Sequence, residues 1–233
     1  MTRTLMTRPR YEIHYFPIHA RADLPRLMLE YRQADYINVF VDDYRGPNAT
    51  RKWLDDEKIK TPLGHLPVLV EKGADGKEFK LSETGAINRY LACQLGLMGN
   101  TSDAREVAYV DMINESWQEF SPAYGQMHRN PRHPGPGDNA DHFFNAFVPE
   151  RLYYLNRLLG DKSRFLDGGR TSIADLNALI WVHNIGEVCG RHDIFEKHAP
   201  NVLKLYESLM GEPHLREYYK PGGKREGIYK YPE

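Results

Sequence analysis

Polar and apolar residues alternate through Tyr11-Glu12-Ile13-His14-Tyr15-Phe16, the two-residue period of a half-buried strand. A loop with Pro17 and His19 follows. Asp23 is then placed to cap a helix that tolerates Pro25 in its first turn and buries Leu24, Leu27, Met28 and Tyr31. Tyr36 to Val41 is rich in β-formers and predicts a second strand. Pro67-Val68-Leu69-Val70 and Phe79-Lys80-Leu81 flank Gly73-Ala74-Asp75-Gly76, a hairpin pattern. Ser82-Glu83-Thr84 opens a helix that Gly96 and Gly99 stop, near Leu95. Strands joined through a helix run parallel, and the hairpin adds antiparallel ones.

Beyond Asn100 the period becomes helical: Val107, Val110, Ile113, Trp117 and Phe120; Leu152, Leu155, Leu158 and Leu159; Ile173, Leu176, Leu179 and Ile180. A Pro/Gly-rich stretch, Asn130 to Gly137, reads as a surface loop that could cover or open a pocket. These patterns predict a tail over 1–9, an α/β domain over 10–93, a linker over 94–99, an all-helical domain over 100–220 and a tail over 221–233 that wraps the surface or frays.

Composition narrows the classes. With 31 Lys plus Arg against 32 Asp plus Glu the net charge is −1, so no overall field draws in nucleic acid or an anionic membrane. Two cysteines, Cys93 and Cys189, rule out a disulfide scaffold or a cysteine zinc site and fit a reducing compartment. No run of about 18 apolar residues is present. Met1 to Arg10 has three Arg and no apolar core, which argues against a secretory signal; a short tail is the favoured reading and a mitochondrial presequence the lesser one. Among the ten histidines, His128 and His133 are separated by Pro131 and share no helix face, so no metal site is expected.

Four segments in order carry a resemblance. They are Tyr11-Glu-Ile-His-Tyr15-Phe-Pro-Ile-His-Ala-Arg21-Ala-Asp, Gly64-His65-Leu66-Pro67-Val68, Leu81-Ser-Glu83-Thr84-Gly-Ala-Ile-Asn-Arg-Tyr-Leu and Ser172-Ile-Ala-Asp175-Leu. Together they resemble the cytosolic glutathione transferases of the tyrosine type, the branch with the sigma, pi, mu and alpha classes, sigma most of all. Two positions depart from the usual pattern: Ala20 stands where the family has Gly, and Glu83 where it has Gln. The resemblance implies a thioredoxin-like domain followed by a helical bundle, a cytoplasmic homodimer, and conjugation of glutathione to small hydrophobic electrophiles. Glutathione would be a cosubstrate, with no other cofactor. Isomerase or peroxidase activity on the same fold, or a low-turnover ligand-binding protein, are the alternatives.

By the same resemblance Tyr15 is the catalytic phenol. A thiol of pKa near 8.5 is only a few per cent thiolate at pH 7, and lowering that value by about two units takes roughly 2.7 kcal/mol, within reach of a charge-assisted hydrogen bond. From pattern alone Tyr15 reads first as one more strand aromatic, and the resemblance makes the catalytic role the favoured one. No Ser precedes Ser82 and no Cys precedes Cys93, so the serine- and cysteine-type variants lack their reactive group in this loop. Arg21 is implied to add positive potential, against a solvated surface Arg.

Glutathione contacts are implied for His65, Leu66 and a cis Pro67, for Glu83 and Thr84 at the glutamyl end, and for Trp53 and Lys58 at the glycyl carboxylate, with Lys52 and Lys60 as competitors. Ser82 as a plain helix cap remains open beside the role of Glu83. Glu119 is implied to reach across a twofold interface. Phe16, Pro17, Tyr124, Met127 and His128 are implied to line the electrophile pocket, with ordinary core packing the alternative for each. Ser172 and Asp175 read as a structural capping box.

Overall fold

A computed structural model describes residues 10–41, 53–73, 75–129 and 140–228; the side chains of Trp53, Leu54, His128 and Arg129 are outside that description. The first nine residues, Lys52, Ala74, the Asn130–Gly137 loop and residues 229–233 also lie outside the described residues. The described residues up to Leu91 and from His214 onward form one compact unit, and Ala92–Pro213 a second.

In the first unit, β1 (Arg10–Tyr15) leads through a 3-10 turn (Ala20–Ala22) into α1 (Asp23–Tyr31) and β2 (Tyr36–Phe40). The hairpin β3 (Val68–Lys72) and β4 (Glu78–Ser82) precedes α2 (Thr84–Gln94). The sheet order is β2-β1-β3-β4, with β1 parallel to β2 and antiparallel to β3. The alternation of β1 does what its period demands: Tyr11, Ile13 and Tyr15 are buried while Glu12 and His14 are not fully so. Leu24, Leu27, Met28, Val68, Leu69, Val70, Ile87 and Leu91 complete that core.

Two local expectations fail here. Asp23 does not cap α1; Ala22 holds the cap position without a side-chain bond, and the Asp23 carboxylate is turned toward Arg225 and His19. Nor does Ser82 cap α2. It ends β4, and its buried hydroxyl makes no hydrogen bond among the described residues.

The second unit is helical: α3 (Ala104–Gln118), α4 (Phe120–Arg129), α5 (Val148–Leu159), α6 (Ile173–Val182), α7 (His192–His198) and α8 (Pro200–Met210). All ten residues of α6 are buried, as an apolar helix surrounded by others requires. Its Asn177 is satisfied by Asn114 of α3, with Nδ2 donating to Oδ1 at 3.0 Å. A helix α9 (Pro213–Tyr219) leads back into the first unit. Among the described residues no helix is long and apolar enough to cross a membrane.

Candidate active site

The ladder between β1 and β3 runs out to His14 and Val68, and that between β3 and β4 to Val68 and Ser82. One residue further along each strand stand Tyr15, Pro67 and Glu83. Three positions far apart in sequence therefore meet at one end of three adjacent strands. The Leu66–Pro67 bond is cis. Tyr15 closes β1 opposite Phe40 of β2 and is buried. Its ring lies 5.5 Å from that of half-buried Phe16 and 5.9 Å from the guanidinium carbon of Arg26.

The loop after Tyr15 is held from beneath. Arg26 is fully buried, donates from Nη1 to the Ile18 carbonyl at 2.7 Å and from Nε to Asn38 Oδ1 at 2.6 Å. Pro17 is half-buried. Ala20 adopts a φ of 37°, in the left-handed region that favours glycine. Arg21, next to it, is exposed.

At the other side of Pro67, Glu83 also has a positive φ, 73°, as the chain turns from β4 into α2. Its carboxylate is exposed, and Oε1 lies 3.2 Å from Nδ1 of His65. Thr84 starts α2, whose first-turn N–H groups have no partners within the helix. Lys58 is exposed on the 3-10 turn Lys58–Lys60, and its aliphatic stem lies against Gly64. Lys60 instead pairs with Glu57 at 3.1 Å. The backbone of Trp53 begins the preceding π turn, Trp53–Glu57.

The two halves of the chain match one family. The description "Glutathione S-transferase, N-terminal domain" fits residues 11–93, and "Glutathione S-transferase, C-terminal domain" fits residues 121–222. A Caenorhabditis elegans protein named probable glutathione S-transferase 6 is 31% identical over 176 residues, 74% of each chain. This chain belongs to the glutathione S-transferase family.

Other glutathione S-transferase relatives extend over more of its length. The human protein named hematopoietic prostaglandin D synthase is 24% identical over 218 residues, 91% of this chain and 96% of that one. A solved sigma-class structure from Fasciola hepatica shares the fold with a TM-score of 0.73 at 22% identity, covering 91% of this chain and 96% of the other. The thioredoxin-like first domain and the helical second domain of this glutathione S-transferase are thus the family's own.

The remaining expected site residues lie in the helical unit. Glu119, between α3 and α4, is ion-paired with Arg151 of α5 at 2.8 Å. Tyr124 packs by ring edges on Phe143 and Trp181, and its hydroxyl lies 3.7 Å from Cys189 Sγ. Met127 and Glu119 border a cavity of about 280 Å³ with Pro122, Phe143 and Phe147. So on this helix Tyr124 belongs to the aromatic core, whereas Met127 faces open space. The His128 side chain lies outside the described residues.

Sequence reading missed the charged cluster under the loop. Asp23 is 3% and Arg225 7% exposed, and Nη2 of Arg225 donates to Asp23 Oδ2 at 2.8 Å. Burial would raise the Asp23 carboxyl, but the Arg225 charge and the His19 ring outweigh it and hold it well below the usual carboxylate range. Burial likewise pulls His19 below the ordinary imidazole value. A partner 202 positions away leaves no local signal; an Asp at a helix start reads as a cap.

Proposed function

We propose that this glutathione S-transferase conjugates glutathione to small hydrophobic electrophiles, with Tyr15 as the group that stabilises the thiolate. The supporting observation is the register that brings Tyr15, Pro67 and Glu83 to one end of the sheet. In this reading the Tyr15 hydroxyl donates to the glutathione sulfur, and Arg21 adds positive potential near it. The Leu66 backbone pairs with the cysteinyl residue as an added strand, beside His65 and Pro67. Glu83 accepts the glutamyl ammonium, while Thr84 and the free N–H groups of α2 take the glutamyl carboxylate. Lys58 and Trp53 serve the glycyl carboxylate. Phe16, Pro17, Met127 and His128 are the wall for the electrophile, with Tyr124 behind it in the aromatic core, and Glu119 the contact across a twofold dimer.

The sulfur lone pair forms the new S–C bond. With an aryl halide the halide leaves with the electrons of the broken C–X bond; in conjugate addition the carbanion takes a proton. The thiol proton goes to solvent. Turnover of a generic aryl halide, compared between wild type and Tyr15→Phe, tests this. The expected result is clear wild-type activity and a fall of about 100-fold, the value of two pH units of thiolate stabilisation. Full activity in Tyr15→Phe sinks the mechanism.

A second reading is an isomerase using the same thiolate, favoured by the likeness to the human protein named prostaglandin D synthase. Glutathione-dependent rearrangement of an endoperoxide without consumption of glutathione would distinguish it. Cytoplasmic location and a role in electrophile detoxification belong to the first reading.

A further inference from the structure

Asp23 opens α1, and its two carboxylate oxygens point at different partners. Oδ2 accepts from Nη2 of Arg225 at 2.8 Å, and Oδ1 lies 3.4 Å from Nδ1 of His19. His19 and Asp23 bracket the 3-10 turn Ala20–Ala22 that carries Arg21 and the left-handed Ala20. Immediately before the turn, the Ile18 carbonyl is held by Arg26, whose guanidinium also lies over the Tyr15 ring. Tyr15, its loop, the start of α1 and Arg225 thus form one continuous set of contacts.

Arg225 is itself fixed. Its N–H donates to the Tyr218 carbonyl at 3.1 Å, and its guanidinium lies 5.0 Å from the centre of the Tyr219 ring. The adjacent Lys224 bonds both oxygens of Glu30 on α1, at 3.0 and 3.2 Å. A buried ion pair is weak as a source of net stability, because apolar replacements often do as well; its best use is to fix one geometry. Here the pair adjoins the turn that follows the loop after Tyr15.

We propose that Arg225, from the C-terminal segment, is a positioning residue: through Asp23 and His19 it sets the Ala20–Ala22 turn and, with Arg26, the placement of the Tyr15 phenol against the glutathione sulfur. This rests on the reading of Tyr15 as the thiol-activating group. Hydrogen-bond strength falls steeply with distance and angle, and displacement of about 1 Å in an active site can cost about 100-fold in rate.

The test uses the full chain with glutathione alone as the probe. The ultraviolet thiolate band is titrated against pH for wild type, Arg225→Gln, Arg225→Lys, Asp23→Asn, the double variant Asp23→Asn/Arg225→Gln and Lys224→Gln, with thermal unfolding in parallel. The expected result is a thiol midpoint higher by about one pH unit in Arg225→Gln and a tenfold lower kcat/KM below that midpoint. The double variant should shift no further than Arg225→Gln alone, since both remove one interaction. Arg225→Lys should shift the midpoint less than Arg225→Gln, and Lys224→Gln should not shift it. If Arg225→Gln does not fold, the double variant, which removes both members of the Asp23–Arg225 pair, carries the comparison with wild type.

A midpoint equal to wild type in the folded variants, whatever their melting temperature, overturns the proposal, because a merely structural pair changes the folded fraction and not the thiol. Additive shifts, or an equal shift in Lys224→Gln, overturn it too. Tyr15→Phe separates the two levels: an unchanged midpoint there removes the role of Tyr15 itself, independently of Arg225.

Discussion

Nδ1 of His65 stands 3.2 Å from Oε1 of Glu83, joining the loop before β3 to the turn before α2 across the cis Leu66–Pro67 bond. Both side chains are more than half exposed, so the contact adds at most about 1 kcal/mol to stability. Its value lies in the carboxylate it leaves at the sheet's end. Glu83→Ala removes the carboxylate and leaves no side-chain acceptor for the ammonium, unlike Glu83→Gln. The loss of one charge-assisted bond to an ammonium, about 1.5–3 kcal/mol, should raise KM for glutathione about 10- to 100-fold. The kcat at saturation and the melting temperature should barely move. Steady-state kinetics with varied glutathione checks this, and an unchanged KM would remove Glu83 from the glutamyl site.

Ala20 carries a side chain where φ is 37°. An L-residue in the left-handed region costs about 1–2 kcal/mol, and glycine returns about 0.4–1 kcal/mol of that through a freer unfolded chain. Ala20→Gly should therefore stabilise by up to about 1.6 kcal/mol, at about 2–4 °C per kcal/mol for a chain of this size. Calorimetry decides it. A lower melting temperature would mean that the bonds of His19, Asp23 and Arg26 hold the turn so firmly that the methyl group is no burden.

The buried Asp23 also makes acid stability predictable. Its carboxyl is held well below the usual range in the folded state, against about 3.9 when unfolded. The folded state then binds fewer protons, so this stabilisation is complete above about pH 4 and is lost as pH falls further toward the folded value. Glu12, lowered by its bonds to Lys72 and His14, acts in the same window. Wild-type melting temperature should fall steeply below pH 4. Asp23→Asn/Arg225→Gln should show a shallower fall over that range while Glu12 keeps part of it. Melting curves from pH 6 to pH 2.5 measure the two slopes, and equal slopes would refute the assignment.

Much of this architecture is written in local patterns. The two-residue period of Tyr11–Tyr15 and the hairpin around Gly76 are short-range properties, and both elements form where the pattern puts them. Val202, Leu205, Tyr206 and Leu209 keep helical spacing too, and α8 is legible from them, although the Pro and Gly residues on either side make the region look irregular. The break of helix at Glu119 is not legible, because the apolar stripe from Val110 to Phe120 runs straight through it. Least legible is the partner of Asp23. Helix starts favour acids for local reasons, so the same residue fits a cap and a long-range ion pair, and only the chain's return through Arg225 separates them.

Asp175 shows the same ambiguity resolved in favour of structure. It stands at the third position of α6, is fully buried, and accepts from Ser172 N–H and Oγ–H at 2.7 Å each and from Phe165 N–H at 2.9 Å. Burial pushes its carboxyl up and these donors pull against it. An exposed cap is worth about 1 kcal/mol, but Asp175→Ala strands three buried donors, each costing about 1–3 kcal/mol. The expected loss is at least about 3 kcal/mol, one for each stranded donor, read as a lower urea midpoint at unchanged m-value. Activity per folded molecule should stay at the wild-type level, because these three bonds all end inside the helical unit. A variant that keeps its urea midpoint yet loses turnover would place Asp175 in the chemistry and contradict this account.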